Sequence, residues 1–352
     1  MVSFKVFLLV PTFLWTFIRA DTDVSCDFMQ SCILPCSFQA ESEEIIHWIL
    51  TAGNRPVYSY YYNQNQLAHQ DQTFKGRTSL FKEQISRGNA SLQLTGVQVQ
   101  DQGRYKCYTS TIRGNKETYI NLRVDAPVSK IHIEQVGNRI TCSSEGIYPE
   151  PEITWSTNPP STFKNTTTVQ QTEQQLYNIS SSLILSDHVP DVDHSCSIST
   201  RRNSRRATRF KQTSINGSSS ETIPCAISNQ PITSFLWRFN HSQIIVENTG
   251  GTGRHSVSEE WRPYVKKVSD TGSLTLQDLT PDQGGIYTCE ASDAEETRVS
   301  NTILWLEKQQ DTSHSWIVGL IVAAVFAAAA AVAVIVLYRK NKLPCCKQDD
   351  II

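Results

Sequence analysis

Apolar residues recur at every second position in several stretches of the first third of the chain. Ile46, Trp48 and Leu50 form one such set, and Leu92 and Leu94, with Val97 three residues further on, supply the opposing strand. Period-two alternation marks half-buried strands, with one face in a core and the other in water. It predicts strands at Ile45 to Leu50 and Pro56 to Tyr62, with further strands near Arg77 to Phe81 and Ala90 to Val97. Two runs break the alternation. The stretch from Val6 to Ile18 is mostly apolar, follows Lys5 and leads to the small Ala20, which predicts a signal peptide over 1–20. The stretch from Trp316 to Leu337 carries no charge. As a helix it is about 33 Å long, against a bilayer core of about 30 Å. That predicts a transmembrane helix over 316–338 and a short cytoplasmic tail over 339–352.

The cysteines fall into register with the strands. Cys36 is followed by Trp48, and Cys107 is preceded by Tyr105 within Asp101-Gln-Gly103-Arg-Tyr105-Lys-Cys107. A distant cysteine pair, a tryptophan soon after the first and a tyrosine two before the second are the spacing of an immunoglobulin β-sandwich. A bridge over these 71 residues stabilises the fold by about 4 kcal/mol in the chain-entropy picture. The set recurs as Cys142, Trp155 and Cys196, and as Cys225, Trp237 and Cys289. The predicted class is all-β, with three tandem sandwiches and one membrane helix. The first spacing leaves room for an extra hairpin and predicts a variable-type domain over 21–125. The second is shorter and predicts a constant-type domain over 126–213. The third predicts a variable-like domain over 214–310.

Three departures stand out. His194 occupies the corner position that tyrosine holds in the other domains. In the third domain Asp282 lies one residue early, so Gln283 takes the place of Asp101. Cys26 and Cys32 are additional; they bridge to each other, or one of them pairs across a dimer.

The 352 residues suit about three sandwiches plus extras. A net charge of −2 disfavours nucleic-acid and anionic-surface binding. Of ten cysteines, Cys345 and Cys346 lie beyond the apolar run, where reversible acylation fits. The remaining eight suit disulfides in an oxidising compartment. Five N-x-S/T sequons, at Asn89, Asn165, Asn178, Asn216 and Asn240, fit glycosylation on that side. Arg339, Lys340 and Lys342 follow the span, which places the C-terminus in the cytosol and predicts a single-pass type I plasma-membrane protein. No phosphate loop, metal-ligand set or nucleophile–base set is present, so no cofactor and no enzyme activity is expected. Arg201, Arg202, Arg205, Arg206 and Arg209 cluster where a hairpin should turn; they read as a solvated tip, with an anionic-glycan patch or a protease site as alternatives. Gly319, Ala323, Ala327 and Ala331 recur every fourth residue in the span and predict weak self-association.

Several local runs carry a resemblance. Ile33-Leu-Pro-Cys36-Ser-Phe38, Ile46-His47-Trp48, Tyr58-Ser-Tyr60-Tyr61, Gly76-Arg77-Thr-Ser-Leu-Phe81, Gly88-Asn89-Ala-Ser-Leu92 and Gly146-Ile-Tyr148-Pro149 resemble the B-seven/butyrophilin family of T-cell costimulatory and coinhibitory ligands. The variable, constant, variable-like order is similar to that of one three-domain member. The resemblance implies a cell-surface ligand whose membrane-distal domain engages lymphocyte receptors to costimulate or inhibit T-cell activation. The alternative is a cell-adhesion molecule, or a receptor that signals through a partner. With Trp48 and Cys107 inward, alternation turns His47, Ile49, Lys106, Tyr108 and Tyr119 outward as the receptor-binding face. Tyr58 and Tyr60 are expected to join them, or Tyr61 if the strand register slips by one.

Overall fold

A computed structural model describes residues 21–185, 192–225, 232–248, 255–306 and 315–341. The proposed signal peptide and the acylation candidates Cys345 and Cys346 lie outside the described residues. The first sandwich contains β1 (Thr22–Asp27), β2 (Cys32–Leu34), β3 (Ile45–Leu50), β4 (Arg55–Tyr61), β5 (Gln64–Asn65), β6 (Thr78–Leu80), β7 (Leu92–Leu94), β8 (Gly103–Thr111) and β9 (Gly114–Asp125), with a one-turn helix α1 (Lys82–Ile85). Its front sheet runs β1-β9-β8-β3-β4-β5 and its back sheet β2-β7-β6. Trp48 is fully buried between them and donates from Nε1 to the Ala90 carbonyl at 2.9 Å. The Cys36–Cys107 bridge spans the sheets beside it, with Cα atoms 6.4 Å apart. Tyr105 donates its hydroxyl to the Asp101 carbonyl at 2.6 Å, and Arg77 grips the Asp101 carboxylate at 2.7 Å. Gly88 sits at φ 83°, a left-handed conformation natural to glycine, and accepts from the Phe38 amide. Cys26 and Cys32 are joined to each other and tie β1 to β2.

The second sandwich contains β10 (His132–Val136), β11 (Arg139–Ile147), β12 (Glu152–Asn158), β13 (Asn165–Gln171), β14 (Tyr177–Ile184), β15 (Asp193–Ser199) and β16 (Ser204–Arg209). The third contains β17 (Thr213–Gly217), β18 (Glu221–Ile223), β19 (Ser234–Phe239), β20 (Gln243–Asn248), β21 (Ser256–Val257), β22 (Val265–Val268), β23 (Leu274–Leu276), β24 (Gly285–Ser292) and β25 (Glu296–Leu306). Their bridges are Cys142–Cys196 and Cys225–Cys289. Trp237 repeats the role of Trp48, buried and donating to the Gly272 carbonyl at 2.8 Å. Trp155 is only partly buried and donates to the Ser181 hydroxyl. His194 is buried at the altered corner of the second domain. In the third, Gln283 caps a short turn through the Thr280 amide while its carbonyl accepts from Tyr287 at 2.8 Å.

The second and third sandwiches share one sheet of nine strands. Strand β25 is long enough to pair twice on one side: its first part runs parallel to β16, Arg206 to Arg209 matching Glu296 to Val299, and its second part runs parallel to β17. Val299 consequently packs into the core of the second domain with Ile133, Cys142, Cys196 and Ala207. Three arginines of the cluster, Arg201, Arg205 and Arg209, serve this junction and the one to the first domain, while Arg202 and Arg206 remain exposed at the hairpin. Arg201 donates to Asp125 and to the Val124 carbonyl, both at 2.9 Å, and Arg205 donates to the Asp293 carbonyl at 2.7 Å. Arg209 is buried and donates to Gln135.

Helix α2 (Ser315–Asn341) follows. Its segment Gly319–Lys340 has a mean hydropathy of 3.0 and is long and apolar enough to cross a membrane. Gly319, Ala323, Ala327 and Ala331 lie along one side of it by their spacing.

Candidate functional site

The antiparallel register of the first domain decides which side chains share its outer face. Directly opposed residues project from the same side of a sheet. His47 lies opposite Ser59 on β4 and Tyr108 on β8, and Tyr108 lies opposite Glu117 on β9. One step along, Ile49 lies opposite Lys106, and Lys106 opposite Tyr119. Trp48, Tyr105 and Cys107 point inward and are fully buried, so His47, Ile49, Lys106, Tyr108 and Tyr119 all face outward, each half-buried by its neighbours.

These side chains form two linked groups. The His47 ring stacks near Tyr108 at 6.3 Å and tilts against Tyr61 at 5.9 Å, while Nδ1 lies 2.9 Å from the Ser59 hydroxyl. Burial pushes the His47 pKa below its ordinary 6.5, favouring the neutral ring. Beside them Glu117 accepts from the Tyr119 hydroxyl at 2.7 Å and pairs with Lys106 at 3.4 Å. The Tyr119 bond holds the Glu117 carboxyl below its usual range, and the same bond raises the tyrosine. The Arg104 guanidinium covers the Tyr119 ring at 4.1 Å and is anchored to Asp21. At the upper rim an open cleft of about 670 Å³ is lined by Glu43, Glu44, Ile45, His47, Tyr61, Tyr62 and Asn63. The site therefore offers flat aromatic area with fixed charges on one flank and acidic groups at the rim. Such a surface suits binding another protein.

Tyr58 and Tyr60 are corrected by the structure. Both are buried, at 3 % and 7 % exposure, and belong to the core. The register shifts between Trp48 and Ile49: Ile49 pairs with Pro56 but Trp48 pairs with Tyr58, leaving Val57 as an extra residue. A bulge of one residue reverses the facing of everything beyond it. Tyr58 and Tyr60 thereby join Trp48 and Ile46 inside, and Tyr61 takes the outward place beside His47. Tyr62, 87 % exposed and edge-on to Tyr61, was not among the expected face residues; the observed strand ends at Tyr61, one residue short of the predicted end.

Among the sequon residues, Asn165, Asn216 and Asn240 are exposed, and Asn89 and Asn178 are half-buried. The side-chain oxygens of Asn89, Asn178 and Asn240 accept from the amides of Ser91, Gly146 and Ile286, respectively. Among the described residues no group of His, Cys, Asp and Glu is placed to hold a metal ion.

Known families divide the chain in a way that agrees with this geometry. The immunoglobulin V-set domain matches residues 24–125, the butyrophilin subfamily 3 member A2-like Ig-C domain matches 122–208, and the general immunoglobulin domain matches 211–302. Human HERV-H LTR-associating protein 2 is 37 % identical over 129 residues, which is 36 % of this chain and 31 % of that protein. Human V-set domain-containing T-cell activation inhibitor 1 is 30 % identical over 130 residues, 35 % of this chain and 46 % of that protein. Mouse programmed cell death 1 ligand 1 is 32 % identical over 180 residues, 47 % of this chain and 60 % of that protein. The chain is similar to proteins of the B-seven/butyrophilin family over its first two domains. It matches between 31 % and 60 % of the length of these three relatives. The B-seven/butyrophilin-type domains here are the first two, and the face described above lies on the V-set domain.

Proposed function

We propose that the chain is a cell-surface ligand that presents the outer face of its first domain to receptors on T or natural killer lymphocytes, and so costimulates or inhibits T-cell activation. The first domain lies farthest along the chain from the membrane helix, and Arg339, Lys340 and Lys342 beyond that helix favour a cytosolic C-terminus and an outward N-terminal part. Two of the similar proteins are named for a ligand and for an inhibitor of T-cell activation. The observation that carries the reading is the cluster of His47, Tyr61, Tyr108 and Tyr119. Their ring and hydrogen-bond partners lie within the same domain, which leaves the outer side of the cluster to a partner. The role is one of binding rather than catalysis.

The test is to present the full chain on vesicles to cells that each display one lymphocyte receptor. Capture by at least one T- or natural-killer-cell receptor is the expected result. If no receptor captures the vesicles and cells displaying the chain aggregate with one another instead, the protein is an adhesion molecule and the ligand reading fails.

A further inference from the structure

Asn216 and Trp305 are direct partners in the parallel pairing of β17 with β25. One residue earlier on each strand, Ile215 and Leu304 turn into the core of the third domain. Side chains alternate along a strand, so Asn216 and Trp305 leave the same, outer face of the sheet side by side. Asn216 is exposed and the Trp305 side chain is 58 % exposed, a large apolar ring turned to water. On the other flank of β25, strand β24 begins with Gly285 opposite Leu304, and Gly284 before it lies against the Leu304 and Leu306 backbone. Among the described residues, the two glycines on that flank bring no side chain to the indole.

Asn216 also opens the sequon Asn216-Gly217-Ser218. A sugar joined to its amide nitrogen starts within about 5 Å of the neighbouring strand's side chain, the spacing of opposed Cβ atoms. The first N-acetylglucosamine has an apolar face of C–H groups and an acetyl methyl, which match the flat face of an indole, while its hydroxyls remain in water. We propose that an N-linked glycan on Asn216 seats its first N-acetylglucosamine on Trp305 and covers it. Other sequons on strands lack such a neighbour: Asn165 pairs with the buried Leu183, and Asn178 pairs with Gln170. The uncovered apolar area is centred on one ring, with Ile303 and Ile286 half-buried beside it, which is small for a protein interface.

The inference rests on the outward orientation proposed above, because only a lumenal sequon receives a glycan. The full chain is expressed in mammalian cells held at the high-mannose stage and footprinted with hydroxyl radicals. Peptide mass spectrometry then reads both the occupancy of Asn216 and the oxidation of Trp305. Asn216 should be occupied, and Asn216→Gln and Ser218→Ala should each raise Trp305 oxidation about twofold or more, since the sugar covers one of two ring faces. Asn240→Gln should leave it unchanged, as should enzymatic trimming of every glycan to its first N-acetylglucosamine. Buried Trp237 serves as the folding control and should stay unreactive in each variant. An occupied Asn216 with Trp305 oxidation equal in wild type and both sequon variants overturns the proposal and points to membrane or protein contact. An empty Asn216 while other sequons carry glycans overturns it too. If no sequon carries a glycan, the orientation fails with it.

Discussion

In the first domain, the outward rings on β3, β4, β8 and β9 stack on, hydrogen-bond to or are covered by groups of the same sandwich. In the third domain the strand equivalent to β9 is β25, and it runs beyond its own sandwich to pair with β16. The β24–β25 hairpin is thereby committed to the second domain: the Asp293 carbonyl accepts from Arg205, Glu296 accepts from the Thr208 hydroxyl at 2.5 Å, and Val299 fills the second core. Both domains hold the same bridge, buried tryptophan and corner tyrosine. The fold alone therefore does not make a docking face; what decides is whether the last hairpin is left to solvent or used up by a neighbour. On the function proposed above, the first domain is left free to dock while the third, tied to the second through β25, acts as a strut.

The strongest way to break this contrast is to place a charge inside the shared core. Val299→Asp would put a carboxylate among Ile133, Cys142 and Cys196, at an expected cost of about 4 kcal/mol. Thermal unfolding of the full chain should show the second and third domains losing structure together at a lower temperature, with the first unchanged. If only the third domain melts, the two are not one unit.

The corners provide a second contrast. Asp101 is 1 % exposed, pairs with Arg77 and caps the Gln98 amide, so Asp101→Ala should destabilise the first domain by about 3 kcal/mol. In the third domain Gln283 does the capping and Asp282 is exposed, so Asp282→Ala should stay within about 0.5 kcal/mol. Denaturant titration of the two variants checks both values, and equal losses would erase the distinction.

A smaller effect concerns pH. Burial lowers the His47 pKa from 6.5, so the unfolded chain binds the proton first as the solution is acidified. Stability from the neutral ring is present above the unfolded value and is lost as the pH falls through the folded one. The ring is half-exposed, so the loss should be a few tenths of a kcal/mol. Denaturant midpoints of wild type and His47→Gln at about pH 7 and about pH 5 should differ in this sense. An identical acid loss in both would place the titration elsewhere.

Much of this arrangement can be read from local sequence. The cysteine and tryptophan spacings mark three sandwiches, with corner tyrosines in the first and third, and alternation turns His47, Ile49, Lys106, Tyr108 and Tyr119 outward, as the register has them. Alternation fails at Tyr58 and Tyr60 because the extra residue Val57 leaves no trace in a run where apolar and aromatic residues are adjacent. The shared sheet is hidden for a different reason. Arg205 meets Asp293 at a separation of 88 residues, and a parallel pairing between domains has no periodicity that either strand displays alone. Such arginines look like a solvated tip until their distant acceptors are placed.

The central claim, that the first domain docks and the third supports, is tested most directly by lymphocyte binding to cells displaying the full chain at matched surface levels. Tyr61→Ala combined with Tyr108→Ala removes the rings on either side of His47 and should weaken binding at least about tenfold, as loss of central aromatic anchors does. Trp305→Ala on the third domain should leave binding at the wild-type level. A double variant that folds and binds like wild type, or a Trp305→Ala chain that loses binding, would contradict the account.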